Sequence, residues 1–318
     1  MKLALIGYGN VGRALARLIR QKGRQFPFTI TGIHTLRHGT AVDAGGLSED
    51  PAMGPRAATI EAFLQAARAD VAVELTTLNP TDGEPAISHI RAAFARGMHV
   101  VTANKGPLAH AYAALREEAM RAGRGFRFES AVMDGAPIFN LWRHTMPGVK
   151  VLGFTGALNS TTKVVIETME CGGSFEDGLA KARQMGITEA DGSYDIEGWD
   201  SAAKAAALAN VLMDARTTPQ EVNTRGIAKL TPESMQELNA KGKTVRLISR
   251  GKRTGSKLSL RVRAEVLDRC DILACTPGTS NILLFHTDLM GTFGTVSLDP
   301  QVEQTAYGVF SDLASLMD

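Results

Sequence analysis

Four ionisable residues stand close together in one stretch of this chain: Glu189, Asp195, Asp200 and Lys204. Asp200 and Lys204 are four positions apart, so a helix brings both to one face, where the carboxylate orients the ammonium. A lysine serves as general acid or base where burial and neighbours bring its pKa towards neutrality, although this carboxylate by itself would raise it. A second lysine, Lys105, follows Val100-Val101-Thr102-Ala103-Asn104, where an apolar strand pattern gives way to a helical one. Ligands bind at the carboxyl ends of the strands in open α/β sheets. If Lys105 and Lys204 converge on one site, each cation eases deprotonation of the other. The bland alternative for Asp200 and Lys204 is a surface ion pair worth about 0.3–0.5 kcal/mol. Ala202, Ala203, Ala205, Ala206, Ala207, Leu208 and Ala209 argue against it, because they describe a helix buried on much of its circumference. Charges at the start of such a helix need partners or a task.

The second constellation is Gly7-Tyr8-Gly9-Asn10-Val11-Gly12, which follows a strand pattern and opens a helical one. The first glycine allows a tight turn, and the second lets a pyrophosphate approach the backbone. The third lets the helix pack closely on the strand, so that its N-terminal N–H groups face the anion. Beyond the next strand pattern no acid occurs until Asp43, whereas NAD users carry one there for the ribose hydroxyls. Thr35, Arg37 and His38 suit a 2′-phosphate instead, which favours NADP(H) over NAD(H).

These residues require an alternating scaffold, and the first 130 or so positions supply it. Strand patterns fall at 2–6, 28–33, 71–75, 99–102 and 126–129, and helical patterns at 11–21, 60–69, 85–96 and 108–122. Strands apolar nearly throughout, alternating with helices, predict a doubly wound Rossmann-type α/β domain. Beyond Asp134 the pattern changes. Strands are expected at 149–156, 245–250 and 258–266, the last two joined by the basic turn Gly251-Lys252-Arg253-Thr254-Gly255. Helices are expected at 160–171, 174–184, 198–213 and 219–222, the last opened by Thr218-Pro219-Gln220-Glu221. That describes an α+β domain over 134–301, with a dinucleotide-binding domain over 1–133 to which a helix at 302–318 returns.

Composition narrows the class. The 318 residues carry 35 basic and 33 acidic side chains, net +2, which speaks against a dedicated nucleic-acid binder. No apolar run approaches about 18 residues, so no membrane span is expected. Three scattered cysteines, Cys171, Cys270 and Cys275, fit a reducing compartment and a cytoplasmic protein. Only His34 and His38 lie four apart, on a strand-to-loop stretch where that spacing does not share a face, so no histidine metal site is expected.

The motifs together resemble the homoserine dehydrogenase family over almost the whole chain. Glu74-Leu75-Thr76-Thr77, Val100 to Leu108, Phe128 to Val132 with Ala136-Pro137-Ile138, and Gly156 to Thr162 all look like family segments. So does Gly186-Ile187-Thr188-Glu189-Ala190-Asp191, continuing through Asp195, Gly198 and Asp200 to Lys204. The resemblance implies interconversion of L-homoserine and L-aspartate 4-semialdehyde by hydride transfer, with Lys204, Lys105, Asp200 and Glu189 catalytic. It implies Ser160, Thr161, Glu189, Asp195 and Asp200 on the substrate. The cofactor set is Gly7, Gly9, Asn10, Val11, Gly12, Thr35, Arg37, His38, Thr76, Thr77, Asn104 and Lys105. It further implies a homodimer built through the second domain's sheet, no regulatory domain, and a monovalent cation such as Na+ at Glu129 and Val132.

Some positions depart from the family pattern. Ser160 stands where glycine is usual and Lys163 where asparagine is; Met133 and Asp134 replace hinge glycines. A glycine-rich loop near the C-terminus gives way to Ser297-Leu298-Asp299-Pro300-Gln301-Val302-Glu303-Gln304, whose Asp299 and Glu303 would repel a phosphate or carboxylate. Two alternatives therefore stand beside homoserine: the same chemistry on another small hydroxy compound, and an NAD(P)-binding sensor without turnover.

Overall fold

The computed structural model describes residues 1–188 and 192–317. Its internal contacts divide the chain into Met1–Leu141 with Gln301–Asp318, and Trp142–Pro300.

The first unit forms around β1 (Lys2–Ile6), whose Leu3, Ala4, Leu5 and Ile6 are all buried. It continues through α1 (Asn10–Lys22), β2 (Thr29–Thr35), β3 (Gly39–Val42), α2 (Ile60–Ala67), β4 (Val71–Glu74) and α3 (Ala86–Ala95). Then come β5 (His99–Thr102), α4 (Lys105–Ala122) and β6 (Phe126–Arg127). The sheet runs β3-β2-β1-β4-β5-β6, parallel except for β3, which pairs antiparallel with β2. The order turns back at β1, with β2 on one side and β4 on the other, and such a switch point opens a crevice at the strands' carboxyl ends. The N-terminus of α1 starts there, with no acid in its first turn and Arg20 and Lys22 in its last, as the helix dipole favours.

Two elements of this unit differ from the sequence expectation. β3 has no strand pattern of its own; it forms because Thr35–Gly39 closes a hairpin, with Gly39 at φ 91°. The strand expected over 126–129 stops at Arg127, and Glu129–Ala131 coil into a short 3₁₀ turn.

The short helix α5 (Phe139–Thr145) follows. The second unit is built on β7 (Val151–Ala157), α6 (Ser160–Glu170), α7 (Phe175–Gln184), α8 (Ser193–Ile196) and α9 (Trp199–Leu212). β8 (Asn223–Thr224), α10 (Pro232–Ala240), β9 (Lys243–Thr254), β10 (Lys257–Asp268), β11 (Asn281–Thr287) and β12 (Thr292–Ser297) complete it. Its sheet runs β12-β11-β7-β9-β10-β8 and is antiparallel apart from the β10–β8 pair. The five-residue turn expected at 251–255 is instead mostly strand, since β9 runs on to Thr254. Gly251 sits inside β9 because the Phe154 ring occupies the place of a side chain there. β11, β12 and α10 had no counterpart in the sequence reading. The alanine helix is α9, and Ala202, Ala203, Ala205 to Ala207, Leu208 and Ala209 are wholly buried.

The last helix, α11 (Val302–Ala314), belongs to the first unit. Val309, Phe310 and Leu313 join Leu3, Leu5, Leu15 and Ile19 in one core, with the Phe310 ring edge-on to Phe26 and Phe28 at 5.1 and 5.5 Å. Among the described residues no helix is long and apolar enough to cross a membrane.

Candidate active site

The carboxyl ends of β1, β2, β4 and β5 carry the candidate residues of the first unit. Gly7 has φ 94°, donates its N–H to the His34 carbonyl at 2.8 Å, and leaves a side chain no room, since a Cβ would lie 2.6 Å from the Leu75 carbonyl oxygen. Gly9 differs: nothing lies within 4 Å of where its Cβ would be. It caps α1 without a side-chain hydrogen bond, so the helix N-terminus opens onto clear space. At Gly12 a Cβ would press on the Tyr8 ring at 3.0 Å, which is the close packing the third glycine provides. Asn10 and Val11 are the first residues of α1, exposed and half-buried respectively. An open, uncapped, acid-free helix start beside a backbone-tight turn fits the pyrophosphate of a dinucleotide.

At the tip of the β2–β3 hairpin Thr35 accepts the His38 N–H at 2.8 Å, and Arg37 and His38 are exposed. The ends of β4 and β5 are tied together by Glu74, which sequence reasoning passed over as a strand residue. Its fully buried carboxylate accepts the Thr76 N–H at 2.9 Å, the Thr76 hydroxyl, and the Thr102 hydroxyl at 2.9 Å. Asn104 caps α4: its Oδ1 accepts the Gly106 N–H at 2.9 Å and its Nδ2 donates to the Thr76 carbonyl at 3.2 Å. Its own N–H donates to Thr102 Oγ1 at 3.0 Å. Lys105 is therefore the first residue of a capped helix, half-buried, on a braced corner. Thr77 is exposed.

Glu129 is occupied in another way. Its buried carboxylate accepts the N–H groups of Ile138, Phe139 (3.0 Å) and Asn140 (2.5 Å), and its own N–H donates to Asp312 at 2.7 Å. Burial pushes this carboxyl up against those three hydrogen bonds, and Asp312 adds to the rise. Val132 is buried one residue past the 3₁₀ turn. Among the described residues no group of three or more histidine, cysteine, aspartate or glutamate side chains could hold a metal ion.

The second unit carries candidate residues of its own. Asn159 caps α6 by accepting the Thr162 N–H at 2.8 Å, and its buried amide then donates to both Asp195 (2.6 Å) and Asp200 (3.1 Å). Asp195 also accepts the Thr188 hydroxyl at 3.0 Å. Burial raises the Asp195 carboxyl above the usual aspartate range, and the charge of Asp200 raises it further. Lys204 Nζ lies 3.3 Å from Asp200 Oδ2 and donates to the Leu158 carbonyl at 2.6 Å. The Asp200 and Lys204 side chains are only 17% and 16% exposed, which removes the surface-pair alternative.

Asn159 is the hub that sequence reasoning missed. The signal available was its place one residue before a helix of hydroxyl residues, a capping position; its reach over 36 and 41 residues left no trace. The Ser160 and Thr161 hydroxyls donate to the carbonyls of Thr279 (2.9 Å) and Ile187 (3.2 Å), and Thr161 also hydrogen-bonds Asp195. The Asp299 carboxylate accepts the Thr279 hydroxyl at 2.7 Å. Glu189 lies outside the described residues.

The matches with known proteins agree with this division. Residues 7–129 match the model of the homoserine dehydrogenase NAD-binding domain, and residues 137–314 match that of homoserine dehydrogenase itself. The NAD(+)-dependent homoserine dehydrogenase of Pseudomonas canavaninivorans is 34% identical, the alignment covering 98% of this chain and 95% of that one. The homoserine dehydrogenase of Methanocaldococcus jannaschii is also 34% identical, over 98% and 97% of the two chains. The crystal structure of homoserine dehydrogenase from Thermoplasma acidophilum superposes with a TM-score of 0.87 at 25% identity, covering 100% of this chain and 99% of that one. A hyperthermophilic archaeal homoserine dehydrogenase mutant in complex with NADPH gives 0.83 at 26% identity, covering 99% and 97%. With an open dinucleotide cradle in one unit and a lysine–carboxylate pair in the other, the chain belongs to the homoserine dehydrogenase family and is an NAD(P)-dependent oxidoreductase acting on a hydroxyl group.

Proposed function

We propose that this protein interconverts L-homoserine and L-aspartate 4-semialdehyde, using NADP(H) in preference to NAD(H). The observation that carries the reading is Lys204, whose Nζ is held between Asp200 and the Leu158 carbonyl on a buried helix. A bound nicotinamide supplies the hydride acceptor or donor at C4. Proton movement falls to the protein. Asp200 and the Leu158 carbonyl set where Nζ points; as the neutral amine Lys204 takes the hydroxyl proton in oxidation, and as the ammonium it gives a proton to the aldehyde oxygen in reduction. Lys105, at the start of its capped helix, is assigned a part in the same proton movement. Asp195 and Asp200, joined through Asn159, attract the substrate ammonium, and Glu189 belongs to the same acidic set.

On the cofactor side, Gly7, Gly9, Asn10, Val11 and Gly12 would hold the pyrophosphate, and Thr76, Thr77 and Asn104 would serve the nicotinamide side. Arg37 and His38, exposed on the hairpin tip that Thr35 closes, support the choice of a 2′-phosphate. The named relatives divide on this point, one NAD(+)-dependent and one bound to NADPH. The reading includes a homodimer through the second unit's sheet and a cytoplasmic site of action. A monovalent cation at Glu129 and Val132 would share a carboxylate that already accepts three N–H groups.

One observation favours a second reading, the same chemistry on another small hydroxy compound. The Ser160 hydroxyl, expected on the substrate, donates to the Thr279 carbonyl, and the Thr161 hydroxyl divides between the Ile187 carbonyl and Asp195. Steady-state rates with L-homoserine, other short hydroxy amino acids and hydroxy acids, each with NADP+ and NAD+, separate the two. Highest kcat/KM with homoserine supports the proposal, and a higher value with another alcohol overturns it.

A further inference from the structure

Lys163 is among the largest fully buried side chains of the protein, at 2% exposure, and no carboxylate among the described residues lies within ion-pair distance of it. A buried cation without such a partner costs free energy, so its retention calls for a task. Its Nζ donates to the Ser280 carbonyl and reaches Thr276 Oγ1 at 3.5 Å. Ser160, three residues earlier on the same face of α6, donates to the carbonyl of Thr279, the neighbour of Ser280. Asp299 grips the same dipeptide from the other side, accepting the Thr279 hydroxyl at 2.7 Å and donating its N–H to Ser280 Oγ at 3.0 Å. Ser160, Lys163 and Asp299 thus meet on two consecutive residues.

What this clamp fixes is the first turn of α6. Asn159 caps that turn and bridges Asp195 to Asp200, and the carbonyl of Leu158, one residue before it, receives Lys204. We propose that Lys163 is a positioning residue of this enzyme, its buried ammonium clamping Thr279–Ser280 to the start of α6 and so holding Asn159 and the Leu158 carbonyl on Asp195, Asp200 and Lys204. The inference rests on the reading of Lys204 as the proton-moving group.

The charge of Lys163 has a consequence besides the clamp. The groups that face it are Arg246 of β9, Glu167 of its own helix and Lys204 of α9. Burial first, then Arg246 against the opposing Glu167, and Lys204 lower its pKa to about 8. Repulsion between Lys163 and Lys204 is reciprocal, so a neutral residue at 163 makes Lys204 easier to protonate.

The test compares wild type, Lys163→Met and Ser160→Ala for kcat, both KM values, the pH profile of homoserine oxidation and Tm. The wild type must turn over homoserine; if it does not, the reading under Proposed function fails before this one is reached. For Lys163→Met the expected result is a fall in kcat/KM for homoserine of about tenfold or more, since small misplacements of reacting groups cost on that scale. The KM for NADP+ stays at the wild-type value, and the acid limb of the pH profile moves to higher pH. Ser160→Ala lowers kcat/KM without moving that limb. Wild-type kcat/KM and an unmoved limb in folded Lys163→Met overturn the proposal, as does a loss of kcat alone that follows the loss of folded protein. If Lys163→Met does not fold, wild-type kcat/KM in Ser160→Ala overturns it.

Discussion

Asp200 and Lys204 form an ion pair of 3.3 Å across one turn of α9, and both side chains are more than four-fifths shielded from solvent. The helix behind them is alanine and leucine, so neither charge gains from solvation on that side. The pair is stabilised by neighbours that are themselves polar and fixed, Asn159 on the carboxylate and the Leu158 carbonyl on the ammonium. An interaction of this kind is expensive to break one partner at a time.

Asp195 gives a prediction in which stability and activity oppose each other. Its carboxyl is raised in the folded protein, by burial and then by Asp200. Between the ordinary aspartate value and that raised value the folded state binds more protons than the unfolded one. Stability contributed by this group is therefore lost as pH rises through the window, and the deficit persists above it. Asp195→Asn is expected to raise Tm at pH 7 while lowering kcat/KM for homoserine. Thermal melts at pH 7 and pH 4 measure it, with the gain smaller at pH 4; equal gains at both would exclude the titration argument.

The first two glycines of the fingerprint should separate in their effects. Gly7→Ala forces a Cβ against the Leu75 carbonyl at a φ of 94°, so it destabilises the fold by about 1–3 kcal/mol. Gly9→Ala meets nothing within 4 Å, so Tm stays within a degree or two of wild type. Its methyl group instead occupies the approach of the pyrophosphate, and NADPH affinity measured by calorimetry falls. Unchanged affinity in Gly9→Ala would remove the pyrophosphate from that position.

Glu129 accepts the N–H groups of Ile138, Phe139 and Asn140 from a buried position. Glu129→Ala leaves them without that acceptor, at a cost of about 2–4 kcal/mol. Denaturant unfolding reads this directly, and a loss below about 0.5 kcal/mol would mean that the loop finds other acceptors.

The cofactor preference is expected to rest on the hairpin tip. Arg37→Ala should raise the KM for NADP+ by about tenfold while leaving that for NAD+ nearly unchanged, because the lost charge-assisted hydrogen bond is worth roughly 1.5–3 kcal/mol. Equal changes in both KM values would place the 2′-position elsewhere.

Much of this was legible in the chain. β1 and α1 could be read because Gly7, Gly9 and Gly12 punctuate a strand and a helix in a fixed rhythm, and β5 was legible from its β-branched run Val100-Val101-Thr102. Asp200 and Lys204 could be paired because a helix makes four positions in sequence into neighbours in space. β3 was illegible because its four residues form a strand only through their hairpin with β2. α10 was missed although Thr231-Pro232 repeats the capping signal that was accepted at Thr218-Pro219. The sheet of the second unit was half seen, since β12 exposes alternate residues and has no apolar run to mark it. Asn159 and Lys163 acquire their meaning from partners 36 to 117 residues away, and no local pattern encodes such distances.

The most direct measurement is the appearance of reduced nicotinamide absorbance when purified protein meets L-homoserine and NADP+, with Lys204→Ala run in parallel. Turnover by the wild type, a fall of about 10²–10⁴ in kcat for Lys204→Ala, and NADPH binding equal in the two is the predicted result. Wild-type turnover that survives the substitution, in a folded protein, would contradict the role assigned to Lys204.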